Sequence, residues 1–262
     1  MLGLEAGIPY FPALISAVFV ALFWLERSRP LRPETASKAR RNLRNLAVAA
    51  LSAATVSLVE RPAVAPVARL AQERGWGLLG LADLPPWLAT ALAFILLDYT
   101  LYLWHILTHK TALLWRFHQV HHADIDMDAS TALRFHVGEL MFSVPWRAAQ
   151  VLLIGVSPQA LALWQQALLI SILFHHANVE LPPALERRLN WLIVTPRMHG
   201  IHHSMLRHER DSNWSSGLTL WDWLHGTLRR GEQPAIGIED ERDEGRLGFF
   251  RLLVLPLRPN RS

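Results

Sequence analysis

The chain has 262 residues, of which 51% are hydrophobic and only 18% charged, with a net charge of +4. A soluble domain carries about a quarter charged residues, so this composition leans towards a membrane protein. The 11 tryptophans point the same way, because Trp gathers at bilayer interfaces. There is no cysteine, which excludes disulfides, thiolate metal sites and iron–sulfur clusters, and no basic–aromatic repeat of the kind that binds nucleic acid.

In chain order, Ile8 to Leu25 is just long enough to cross a hydrocarbon core about 30 Å thick. No basic segment precedes it and no small-residue cleavage site follows, so it reads as an anchor rather than a signal peptide. A basic stretch follows, with Arg27, Arg29, Arg32, Lys38, Arg40, Arg41 and Arg44. Leu46 to Val59 is apolar but short for a span. Arg61 to Pro86, punctuated by Pro and Gly, reads as a mixed loop. Trp87 to Leu107 is the clearest span. A polar, His-rich stretch runs from His109 to His136. Then come two apolar arms, Leu140 to Val156 and Ala160 to Phe174, split by Gly155-Val156-Ser157-Pro158. They read as a helical hairpin, with Pro145 and Arg147 bending or tilting its first arm. From Asn178 onward the chain is soluble in character until Phe249 to Leu255, which resembles a short interface-hugging helix.

The fold class expected is all-α, an integral membrane helical bundle of four or five spans with a His-rich cap. By the positive-inside rule the basic stretch is cytoplasmic. Counting crossings from there brings every His cluster to the cytoplasmic face. The chain divides into an N-terminal anchor region at 1–86, a His-rich domain at 87–230 and a tail at 231–262.

All thirteen histidines lie between His105 and His225. They cluster as His105-x3-His109, His118-x2-His121-His122, His175-His176 and His199-x2-His202-His203. On a helix, positions three and four apart share a face, so each cluster aims several imidazoles at one point. Imidazole suits iron, zinc, copper and nickel, and eight or more converging rings exceed what one metal needs. A two-metal centre follows, and so an enzyme. Asp98, Tyr102, His105 and His109 form one stripe. An ionisable Asp98 within a span is a functional hypothesis by default: it orients a ligand imidazole, or it pairs with Arg147. His208 reads as a surface residue. Zincin, P-loop, dinucleotide-binding and nucleophile-elbow motifs are all absent. A His-rich metal transporter or metal-storage protein is the rival class, although transport sites favour the bilayer midplane.

These residues resemble the fatty acid hydroxylase family, the sterol desaturase-like membrane di-iron oxygenases. The matching stretches are Asp98-x3-Tyr102-x2-His105-x3-His109, Leu114 to His122, Arg134 to Glu139, Phe174 to Val179, and Thr195 to His203. Asn213-Trp214-x2-Gly217, Trp221-Asp222 and Gly226-Thr227 close the series. The resemblance implies a di-iron domain over 87–230 that uses O2 and an external reductant to hydroxylate or desaturate a lipid, hydroxylation being preferred. It implies His105, His109, His118, His121, His122, His176, His199, His202 and His203 as ligands, with His136 and His175 as further candidates. Asp98, Glu139, Asn213 and Asp222 are candidates to support the ligands, and Asn178 to tune or complete the site. The substrate is expected to arrive laterally from the bilayer. Too few residues lie outside the matched stretch for a fused cytochrome or flavin domain, so the electron donor is expected to be a separate protein. Two positions depart from the family pattern. Val137 stands where proline is usual, and His225 where an aromatic is typical.

Overall fold

The computed structural model describes residues 10–231 and 233–258. Ile8, the expected start of the first apolar segment, lies outside them. Among the described residues regular structure is helical, apart from three isolated antiparallel bridges: Pro30–Val179, Ile193–Leu218 and Ser204–Ile236. The first helix, α1, is Phe11–Ser28. Next, α2 (Lys38–Thr55) passes through a π turn at Val56–Glu60 into α3 (Arg61–Arg74). The long α4 spans Pro86–Lys110, and α5 (Ala112–His122) follows it almost at once. The hairpin is α6 (Val137–Ile154) and α7 (Pro158–His176), and five short helices follow: α8 (Pro183–Leu189), α9 (Pro196–His202), α10 (Arg207–Arg210), α11 (Leu220–Leu224) and α12 (Phe249–Val254). Among the described residues, four stretches are long and apolar enough to cross a bilayer: Phe11–Ser28, Lys38–Leu81, Pro86–Lys110 and Val137–Ile154. In α7, Gln159, Gln165 and Gln166 dilute the apolar character.

Two expectations need correction. The short apolar stretch at 46–59 is the middle of one helical path running from Lys38 to Arg74, and the presumed loop after Arg61 is helical as far as Arg74. The misleading signal was proline. Pro62 falls in the first turn of α3 and Pro66 within it. Each lacks an N–H and crowds the carbonyl four residues before it. The chain accommodates Pro62 by widening into the π turn directly upstream, so the helix bends its hydrogen-bond register instead of ending. The C-terminal helix α12 is Phe249–Val254. Its Leu252, with Leu247 and Leu255, is buried against Val48 of α2 and Val120 of α5. It docks on protein, while Phe250 remains exposed.

The membrane core is built where α3, α4, α6 and α7 meet. Ala68, Ala93 and Ala160 are essentially inaccessible there, packed with Leu97, Val151 and Trp164. Small residues let apolar helices approach closely when no hydrophobic drive exists between them in lipid. At the far end of the bundle, Gly77 and Gly155 both adopt positive φ. A Cβ on Gly77 would come within 2.2 Å of the Gly155 nitrogen, so the two turns meet backbone to backbone.

At the opposite end, the basic stretch lies beside the histidines. Arg41 inserts its guanidinium among Asp124, Asp126 and Asp128, with Nη1 2.9 Å from Asp124 Oδ2 and a close contact from Nη2 to Asp128. Arg44 and Arg134 also face Asp124. Burial opposes ionisation of Asp124, and the guanidiniums of Arg41, Arg134 and Arg44 overcome it, holding the carboxyl down at about 2. Glu26 of α1 accepts from the backbone N–H groups of Ala129 and Asn178, at 2.7 and 3.1 Å. The N-terminal helices are thereby stapled to the loop that leaves α5.

Candidate metal centre

Four helices deliver the imidazoles. The last two turns of α4 carry His105 and His109, α5 carries His118, His121 and His122, and α7 ends in His175 and His176. The short helix α9 (Pro196–His202) carries His199 and His202, and its C-cap is His203. The rings form two groups. One contains His105, His109, His118, His122 and His202, and the other His121, His176, His199 and His203. Within each group the ligand nitrogens lie within 4.8 Å of one another. In the second group, Nε2 of His176 is 3.0 Å from Nε2 of His121 and 3.1 Å from that of His199. The Nε2 atoms of His199 and His203 are 3.2 Å apart. Two imidazoles on one metal at about 2.1 Å each stand about 3.0 Å apart at a right angle and about 3.4 Å at the tetrahedral angle. The observed spacings fall in that interval, so the residues fit a bound cation.

Hydrogen bonds fix which nitrogen faces inward. Nδ1 of His105 lies 2.7 Å from the Trp214 carbonyl, and that of His202 lies 2.9 Å from the Ser212 carbonyl. Nδ1 of His176 lies 2.7 Å from the Ile172 carbonyl, and Nδ1 of His118 lies 2.8 Å from Glu139 Oε1. Carbonyls and carboxylates only accept, so these four Nδ1 atoms carry the proton and each Nε2 lone pair is left for a metal. In the first group the inward nitrogens of His109, His118, His122 and His202 are buried without a protein partner. Buried polar atoms are rarely left so, and a cation would satisfy them together. Burial first, and then the neighbouring imidazoles, push His121, His122, His199 and His203 well below the usual histidine range. They are neutral at physiological pH, which is the state that binds metal.

The remaining candidates fall elsewhere. His136 caps α6: its Nδ1 accepts from the Gly138 N–H at 2.9 Å and its Nε2 lies 3.1 Å from the Leu253 carbonyl, so both nitrogens are engaged. His175 packs its ring on His199 at 4.1 Å but stands outside both groups. Asp98 touches neither a histidine nor Arg147. It accepts from the Leu218 N–H at 2.9 Å and from the Trp221 indole at 2.7 Å. A Cβ on Gly217 would meet its oxygen at 2.2 Å, so only glycine lets that loop approach. Arg147 instead pairs with Glu60 at 3.1 Å.

Asn178 spends both polar atoms on the Arg32 backbone, at 2.9 Å each, and none on the imidazoles. Asp222 accepts from the N–H groups of Trp214 and Ser215 and from the Thr227 hydroxyl. It therefore shapes the loop whose Trp214 carbonyl holds His105. Asn213, at φ +53, grips the Met198 carbonyl of α9 and the Arg229 backbone. His225 stacks on Tyr99 and Tyr102, with ring centres 5.7 and 5.2 Å from theirs. His208 is exposed. The carbonyls of Ile172, Ser212 and Trp214 gave no signal in the sequence, since every residue has one. The Asp124-x-Asp126-x-Asp128 triplet did offer a signal, and it marks the partner of Arg41.

The fatty acid hydroxylase family model matches residues 90–227. Ornithine lipid hydroxylase OlsE of Rhizobium tropici is 31% identical over 169 residues, 63% of this chain and 49% of that protein. Alkylglycerol monooxygenase of Xenopus tropicalis is 27% identical over 229 residues, 86% of this chain and 47% of that protein. Cholesterol 25-hydroxylase of Homo sapiens is 29% identical over 149 residues, 54% of this chain and 51% of that protein. The chain thus spans about half the length of these relatives. No solved structure gives a significant match.

Proposed function

Because the chain belongs to the fatty acid hydroxylase family, we propose that it is a membrane monooxygenase that hydroxylates a C–H bond of a lipid, with two irons held by its nine grouped histidines. The arrangement that carries this proposal is the pair of buried imidazole groups, five rings and four, side by side at the end of an apolar bundle. The family members matched are, by name, hydroxylases or monooxygenases whose names include an ornithine lipid, an alkylglycerol and cholesterol, which favours hydroxylation over desaturation. Bound irons would supply O2 activation, placing one oxygen atom in the C–H bond and releasing the other as water. Two electrons and two protons would come from a separate donor protein.

The chain's own residues set the conditions for that chemistry. Neutral imidazoles leave a metal pair nearly all of its positive charge, and Glu139 is the one carboxylate on a grouped ring among the described residues. Eight of the nine ligands are at most 8% exposed, and excluding water protects an oxidant from side reactions. The apolar helices on which the groups sit give a lipid a route from the bilayer. The exposed Arg27, Arg29 and Arg40 at the histidine end favour a cytoplasmic location for it by the positive-inside rule.

Metal analysis of the purified protein should find about two irons per chain. His118→Ala and His202→Ala should abolish lipid hydroxylation, followed by mass spectrometry of host lipids with and without the protein, while His208→Ala keeps it. One metal per chain, or full activity in both ligand variants, overturns the proposal. Metal flux into proteoliposomes without O2 consumption would favour the transporter.

A further inference from the structure

The stretch after Asn178 reads as soluble in sequence, yet part of it runs beside the middle of α4. Residues 190–194 and 217–219 are laced together by Val194 N–H to the Gly217 carbonyl at 3.1 Å and Thr219 N–H to the Leu192 carbonyl at 3.2 Å. The same segment is fastened to α4 at Asp98. Trp221 packs on Tyr99 with ring centres 4.8 Å apart, and Thr227 meets the Tyr102 hydroxyl at 3.1 Å. At 1.5 Å per residue, Tyr99 lies about 12 Å inside Leu107, the last apolar residue of that span. A segment tied at Tyr99 is therefore at acyl depth wherever α4 crosses the bilayer.

On the outer side of this segment the exposed residues are large and apolar. Trp191, Leu192, Trp223 and Leu224 are each more than 60% exposed, and Leu220 is 44% exposed. Arginines bracket them in sequence, Arg187 and Arg188 before and Arg229 and Arg230 after. Arg187, Arg229, Arg230 and Trp191 share the wall of an open cavity of about 490 Å³. Apolar side chains flanked by Trp and Arg are the composition of a surface lying partly in acyl chains and partly among headgroups.

We propose that residues 191–192 and 220–224 form a wedge sunk in the acyl layer of the leaflet nearest the histidines, holding this non-spanning part of the cap in the membrane. The occupant of the surface is the leaflet itself, as continuity with the apolar α4 requires. The proposal rests on α4 crossing the bilayer and is independent of the reaction the histidines support.

Because the chain has no cysteine, one introduced thiol reports one place. Leu192→Cys and Leu224→Cys would carry an environment-sensitive fluorophore in phospholipid nanodiscs. Ile95→Cys, 41% exposed on α4, is the lipid reference, and Leu206→Cys, 53% exposed before the Arg207–Arg210 helix, is the water reference. Labels at 192 and 224 should be quenched by brominated acyl chains as strongly as at 95, and by iodide several-fold less than at 206. Iodide quenching equal to that at 206 overturns the wedge. Shielding from both quenchers, with a disulfide between two chains in the unlabelled variant, overturns it too, in favour of a second copy on this face. If position 95 reads as aqueous, the placement of α4 fails, and the wedge with it.

Discussion

An imidazole offers two nitrogens, and what occupies the outer one decides what the inner one can do. Glu139 illustrates this at His118, where its carboxylate holds the Nδ1 proton. Such partners typically matter 10–100-fold for metal affinity or activity. Glu139→Gln, which keeps an acceptor but loses the charge, should lower iron affinity by roughly 10-fold, and Glu139→Ala by about 100-fold. Metal titration of the stripped protein measures both, with circular dichroism unchanged. Eight of the nine grouped histidines were legible because their spacing of three and four residues repeats on helices, and His176 because it stands in a pair with His175. Asp98 and Asn178 were misjudged because their partners, Leu218, Trp221 and the Arg32 backbone, are over a hundred residues away. No local pattern carries that information.

Among elements, the α2–α3 path shows how a helix survives two prolines and what it gains. Its π turn ends at Glu60, which faces Arg147 of α6, while Arg147 also lies over the Trp164 ring of α7 at 5.7 Å. One ion pair therefore ties three helices in a medium where an unpaired charge is costly. Arg147→Met should destabilise the protein by about 3–5 kcal/mol, because it strands a buried carboxylate. Adding Glu60→Gln should recover most of that loss, and thermal unfolding in detergent compares the two. The spans at α4 and the α6–α7 hairpin were readable from apolar length and from Gly155 and Pro158. The continuation past Arg61 was not, since sequence shows the prolines but not the π turn that absorbs them.

For the whole molecule, the cap is assembled from stretches far apart in the chain: Glu26, Arg41, Asp124 and Asn178 interlock around the same end as the histidines. Bound metal would stabilise that assembly by mass action, by about 4 kcal/mol at a thousand times its dissociation constant. Stripping metal with a chelator should therefore lower the melting temperature of the wild type. The same treatment should leave His202→Ala with His203→Ala nearly unchanged, as read by differential scanning fluorimetry. A matching melting temperature for stripped and loaded wild type would remove metal from the account of stability.

Neither imidazole group closes without α9, for His202 completes one while His199 and His203 complete the other. During synthesis, then, the spanning helices leave the ribosome before either group is complete. Any metal would therefore be taken up late, once the spans are in place. A cell short of metal would accumulate embedded but unlatched chains, to be filled later or handed to proteases.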